Sequence, residues 1–232
     1  DVVKWGATQI QSGKAVSVIA GASDSLISPY ILGAFCALGI LSRRNDLPRN
    51  ISRPYDRNHD GMVLGEGGGA AILEDLDHAL ERNAEIYAEV LGSSSISESK
   101  DFRKPELSGT TWAQAIREAL VDAKIEVSDI DAVNAHGNSV PQYDIAETNA
   151  LKSAFEKQAY HIPVHSLKSM IGNALATSGI FQIISSCLTI RNSLLPPTIN
   201  FEIPDPECDL DYVPNVAREV RVNRILLNSR SM

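Results

Sequence analysis

The chain has 232 residues, 44% of them hydrophobic and 22% charged, enough for one sizeable core or for two halves sharing a sheet. Its formal net charge of -8 leaves no basic footprint of the kind a phosphate backbone requires. Only one loop concentrates positive residues, at Arg43, Arg44, Arg49 and Arg53, so nucleic acid is not an expected partner.

Residues 2–12 have helical character, and Gly13 closes them ahead of a strand over 15–23. The apolar stretch 27–41 is interrupted by Pro29, Gly33 and Gly39 and is too short for a bilayer span, so no membrane association is expected. A strand over 68–75, a helix over 76–83 and a strand over 86–94 follow. The polar run 93–106, "SSSISESKDFRKPE", is the candidate for a mobile excursion. Trp112, Ala115, Ile116, Ala119, Leu120 and Ala123 then mark one face of a helix at 3.6-residue spacing. After it the pattern predicts a strand over 129–136, a helix over 144–157, a strand over 162–168, a helix over 178–191 and a final strand over 222–229. Alternation of this kind is the signature of a layered α/β domain. No linker divides the chain.

Cys36, Cys187 and Cys208 show neither CxxC spacing nor a nearby His cluster, so neither a disulfide framework nor a zinc site is expected. A reducing cytoplasm fits this usage best. There is no visible targeting signal, and a start on Asp1 reads as a cut end.

"GEGGG" at 65–69 leads into a strand instead of opening a helix, which favours a glycine turn over a phosphate loop. His59 and Asp60 could form an acid/base pair, but a hydrogen-bonded surface turn is the preferred reading. His78 falls on a charged helix face and His161 in a loop. His136 ends a buried-type strand between Ala135 and Gly137, and is either a satisfied structural histidine or a titratable ring at the edge of a cleft. Lys168 holds the equivalent place after the next strand, with Asn173 at the following turn. Adjacent strands thus deliver His, Lys and Asn toward one end of a sheet, where α/β folds collect ligands. Glu147 is either a first-turn acid of a helix that Asp144 caps, or a partner for Lys168.

Five ordered blocks, "SRPYDRNHDGMVLGEGGGAAILE", "NAHGNSVPQYDIAET", "SLKSMIGNALATSG", "LPPTIN" and "DPECDLDYVPNVARE", resemble the β-ketoacyl synthases of fatty-acid and type II polyketide synthesis. The resemblance implies a thiolase fold with alternating layers, αβαβα, in one domain over 1–232. Residues 1–92 would be what remains of its N-terminal half, whose first part is missing, and 93–232 the C-terminal half. It also implies decarboxylative Claisen condensation, in which a cysteine carries the acyl chain and two histidines act on a malonyl unit held by an acyl carrier protein.

By the same resemblance His136 matches the first histidine, with Asn138 where threonine is usual, Lys168 matches the family lysine, and Glu147 matches the acid that contacts it. Asn173 stands where the second histidine is expected. The nucleophilic cysteine would precede Asp1, and the three cysteines present fall in non-catalytic stretches. The C-terminal residues "LLNSRSM" stop where the family continues into a glycine-rich loop. Two precedents bear on Asn173: relatives that use Cys, His and Asn, and the chain length factor, a subunit that has lost its catalytic residues and pairs with an active ketosynthase. The expectation is the second. The resemblance further implies that the chain binds no cofactor itself and that its partners are an active ketosynthase and an acyl carrier protein that carries phosphopantetheine. The alternatives are a fragment of an active synthase, or a free-standing binding protein that has kept the acyl or carrier-protein surface.

Overall fold

The computed structural model describes residues 1–45, 48–98 and 104–230. Its first unit is a helix, α1 (Val2–Gln11), followed by strand β1 (Ser17–Asp24), helix α2 (Pro29–Leu38), strand β2 (Gly67–Glu74) and a short helix α3 (Leu76–Glu81). Gly13, at φ 69°, accomplishes the turn after α1 that an L side chain would strain. Helix α2 has a proline in its first turn, a Ser28 side chain that accepts from Ile31 N–H at 3.4 Å, and Gly39 in the left-handed region at its end. It was hidden inside the stretch that the sequence shows only as apolar.

Strands β1 and β2 pair antiparallel from Ser17↔Glu74 to Asp24↔Gly67. One face of this pair, carrying Val18, Ala20 and Leu73, receives α1. A Cβ on Gly6 would stand 2.8 Å from Leu73 Cδ1, so the missing side chain sets how closely α1 approaches.

The second unit contains α4 (Thr110–Ala123), β3 (Ala132–Asn134), α5 (Pro141–Phe155), β4 (Val164–His165), α6 (Lys168–Ile171), α7 (Ser178–Asn192), β5 (Leu194–Leu195), β6 (Arg218–Glu219) and β7 (Ile225–Leu227). Strands β4, β3 and β7 form a parallel sheet in that order, and β5 pairs antiparallel with β6. Val133 and Val164 pack with Trp112, Ile116 and Leu120 of α4 and with Leu151 and Phe155 of α5 in the main core. On the other face Asn134 donates to the Gln182 carbonyl and the Ser186 hydroxyl of α7, both at 3.1 Å. Helix α7 also meets β2, because Gly69 leaves room for Ile180 and Ile184. The layers therefore run α4 and α5, parallel sheet, α7 and α1, antiparallel pair.

Two expectations need correction. Residues 86–94 form no strand, because a strand exists through its ladder and nothing among the described residues pairs with this segment. It is held instead by helices: Ser93 N–H donates to Asp122 at 2.8 Å, and the Arg191 guanidinium lies 5.3 Å from the centre of the Tyr87 ring. Asp144 does not cap α5. Pro141 starts the helix, which puts Asp144 in its first turn and Glu147 a turn deeper. Of the run expected to be mobile, 99–103 lies outside the described residues, while Ser94 and Glu98 on its near side are tied to Glu118 and Arg230. No helix among the described residues is long and apolar enough to cross a membrane.

Candidate functional site

The loop leaving β3, His136–Gly137–Asn138, wraps around the start of α5. His136 N–H and Gly137 N–H each donate to Glu147 at 2.8 Å, one to each carboxylate oxygen. Tyr55 Oη adds a third bond at 2.8 Å and Asn228 Nδ2 a fourth at 2.6 Å. Gly137 sits at φ 31°, and a Cβ there would meet Ser166 Cβ and Tyr55 Oη at 2.6 Å. Only glycine fits so close to both neighbours. Burial pushes the Glu147 pKa up, and the two backbone donors pull it back.

Asp144, one turn earlier, accepts from Asn138 N–H at 3.1 Å, Tyr55 N–H at 3.0 Å and His59 Nδ1 at 2.8 Å. His59 also faces Asp205, 3.3 Å from Nε2. Burial alone would lower its pKa, but the Asp144 hydrogen bond and the surrounding carboxylates hold it above the ordinary imidazole range. The surface turn read from the sequence is therefore a buried crosslink between His59, Asp144 and Asp205. Its sequence neighbours Asn58 and Asp60 gave no sign of burial.

Lys168 is 3% exposed and donates from Nζ to the His136 carbonyl at 2.6 Å. Burial pushes its pKa down, and the carboxylates of Glu147 and Asp144 oppose this. The expected contact between Lys168 and Glu147 is not made as an ion pair: all four partners of the carboxylate come from elsewhere, and the lysine grips the backbone of the loop that the glutamate also grips. Both residues hold His136 in place from behind.

The His136 ring itself accepts from Arg230 N–H at Nδ1, 3.3 Å away. A nitrogen that accepts carries no proton, so this contact matches a neutral ring protonated at Nε2. Burial first, then the charges of Lys168 and Arg230, push its pKa well down, in agreement with that geometry. Asn173 follows Gly172, which ends α6 at φ 72°. Its main chain is clamped by Val63 and Gly65, its side-chain oxygen accepts from Ser178 Oγ at 3.0 Å and Leu175 N–H at 3.3 Å, and its amide nitrogen lies 3.1 Å from Met62 Sδ.

His136, Asn173, Trp112, Tyr143, Asn228 and Arg230 all line one cleft of about 2310 Å³ that continues between α4, α7 and residues 84–98. His136 and Asn173 thus both line this cleft, while Lys168 and Glu147 are not among its lining residues. Tyr55 and Asp144, which the sequence offered only inside motif blocks, and Asn228 and Arg230, from the C-terminal segment, complete the site, and no local periodicity marks their roles. Of the cysteines, Cys36 is exposed on α2, while burial raises the pKa of Cys187 and Cys208.

The layers and the loop at the end of β3 define a thiolase-like ketosynthase fold. Comparison with known proteins names the family: the model of the β-ketoacyl synthase N-terminal domain matches residues 2–79 and that of the C-terminal domain residues 87–202. The chain belongs to the β-ketoacyl synthase family. It is 44% identical to the tetracenomycin polyketide synthase ketoacyl synthase alpha subunit of Streptomyces glaucescens, over 97% of this chain and 53% of that protein. A solved type II polyketide synthase acyl-carrier protein in complex with its ketosynthase bound to the hexaketide contains a chain that superposes with a TM-score of 0.93 at 38% identity, over 95% of this chain and 54% of that one. The ishigamide ketosynthase/chain length factor superposes with a TM-score of 0.88 at 31% identity, over 100% of this chain and 55% of that one. The chain spans about half the length of the curated relatives it matches.

Proposed function

We propose that the chain is part of a cytoplasmic subunit of a type II polyketide or fatty-acid system, acting as a chain-length-factor-like partner of an active ketosynthase. The reaction served is decarboxylative Claisen condensation of malonyl units carried on the phosphopantetheine of an acyl carrier protein. The observation that carries this reading is Asn173. It stands where a second imidazole is expected, an amide moves no proton at neutral pH, and both its ends are engaged by Ser178, Leu175 and Met62. The raised thiol pKa values of Cys187 and Cys208 favour no nucleophile there. In this role the cleft bounds the growing chain, and His136, with its proton on Nε2, offers a hydrogen bond to a thioester oxygen.

The test is the condensation rate of the chain reconstituted with an active ketosynthase and malonyl-loaded carrier protein, with and without Asn173→Ala, after equal assembly is verified. Less than a tenfold change is expected. Losing one oxyanion donor costs about 10²–10³-fold, so a loss of that size with assembly intact would overturn the reading. It would establish the second one, a piece of an active synthase in which Asn173 donates to an enolate. The alpha-subunit name of the 44% identical relative favours that alternative.

A further inference from the structure

Arg230 meets the His136 ring at the cleft and has no place in the reading above. Its backbone N–H donates to His136 Nδ1 at 3.3 Å. Its guanidinium lies 5.9 Å from the centroid of Trp112 and 5.2 Å from that of Tyr143. Those same two rings flank the imidazole, at 5.9 Å and 6.3 Å. The guanidinium also pairs with Glu98, and both side chains are largely buried, at 15% and 13% exposure. A planar guanidinium within cation–π reach of two rings and paired with a carboxylate is held more firmly than a lysine ammonium at the end of a flexible stem would be.

We propose that Arg230 is a positioning residue for His136: caged by Trp112 and Tyr143 and latched by Glu98, it holds its own N–H on Nδ1 and so keeps the imidazole proton on Nε2. The proposal rests on the reading of His136 as a donor toward a thioester. Its consequence is a histidine fixed from two directions. Glu147 and Lys168 hold the backbone on either side of the ring, and Arg230 sets the ring's tautomer. Glu98 ties this device to the segment between α3 and α4, so the ring's state depends on a contact far away in sequence. Direct anion binding by Arg230 is the weaker use of the same residue, because Glu98 already neutralises it.

The experiment is nuclear magnetic resonance of the full chain labelled uniformly with ¹⁵N, so that the backbone nitrogen of residue 230 is observed in every variant, the His136 signals being assigned with His136→Asn. Wild type is expected to show Nε2 protonated, Nδ1 bare, and a scalar coupling across the hydrogen bond between Arg230 N and His136 Nδ1. Glu98→Gln, a change at the edge of the cleft, is expected to weaken that coupling, and Arg230→Leu to abolish it, with the Gly137 amide signal retained as the sign of an intact fold. A proton on Nδ1 in wild type, or a coupling unchanged in both variants, would overturn the proposal. Addition of an acetyl-pantetheine thioester separates it from the proposed function. A shift of the Nε2–H signal supports both, whereas no shift with the coupling intact counts against the function and leaves the positioning role supported.

Discussion

The parallel sheet β4–β3–β7 and the antiparallel pair β1–β2 are comparably apolar, yet they end in opposite conditions. All three residues of β3 are buried, between α4 and α5 on one side and α7 on the other. Strand β1 alternates, and its outward Ile19 and the Ile72 facing it across the ladder are 76% and 70% exposed. The difference lies in the helices. Helix α7 lies between the two sheets and covers one face of each, α4 and α5 cover the far face of the parallel sheet, and nothing among the described residues covers the far face of β1–β2. An antiparallel pair commonly leaves one face to water, but a face that carries Ile19 and Ile72 there marks an interface or an aggregation risk. The polar hub around Glu147 stands only on the covered side, because a buried carboxylate needs every donor supplied by surrounding elements.

The largest test of this contrast is Glu147→Leu. It leaves four buried donors without an acceptor, and the expected loss is on the order of 3–5 kcal/mol. Urea unfolding of the purified variant, or its failure to stay folded, measures it. A loss under about 1 kcal/mol would mean that the hub is not the anchor of the covered sheet.

The next test uses acid. His165, on β4, is fully buried with neither ring nitrogen hydrogen-bonded among the described residues, and burial lowers its pKa from 6.5 to about 4. With the folded value depressed, the unfolded chain binds the proton first. Stability is therefore intact above pH 6.5 and falls by about 3 kcal/mol as pH drops to about 4. His165→Val is expected to flatten the stability profile in that window. His59 works in the opposite sense: its raised pKa contributes stability below the ordinary imidazole value that disappears as pH rises through the raised one. His59→Gln should therefore cost more at pH 5 than at pH 9, read by denaturant midpoints.

The smallest effect on stability belongs to the bare face. Ile19→Lys and Ile72→Lys are expected to change the unfolding free energy by less than about 0.5 kcal/mol, since exposed substitutions away from special features do little. Both should reduce self-association seen by light scattering. A large loss of stability would show that this face is covered in solution, and the contrast between the sheets would fail.

Much of the architecture was legible along the chain. Helix α7 was expected over 178–191 and is Ser178–Asn192, and β2 was expected over 68–75 and is Gly67–Glu74. Both are long elements whose own periodicity and flanking turns report them. The strand expected over 86–94 finds no partner among the described residues, and a ladder is a property of two segments, never of one. Helix α2 escaped because an apolar run without a polar face shows no period.

At the site, the sequence by itself determined which residue types stand at the ends of β3 and β4, and so put His136, Lys168 and Asn173 near one edge. Local pattern carries that far, since strand ends and glycine turns are written in adjacent residues. Only the tertiary structure decided what those residues do. Glu147 binds the backbone of the His136 loop instead of Lys168, His59 is buried between Asp144 and Asp205, and Arg230 reaches His136 from 94 positions away. Hydrogen bonds and burial depend on partners brought together from distant segments, and the spacing of residues along one strand or helix contains no record of them.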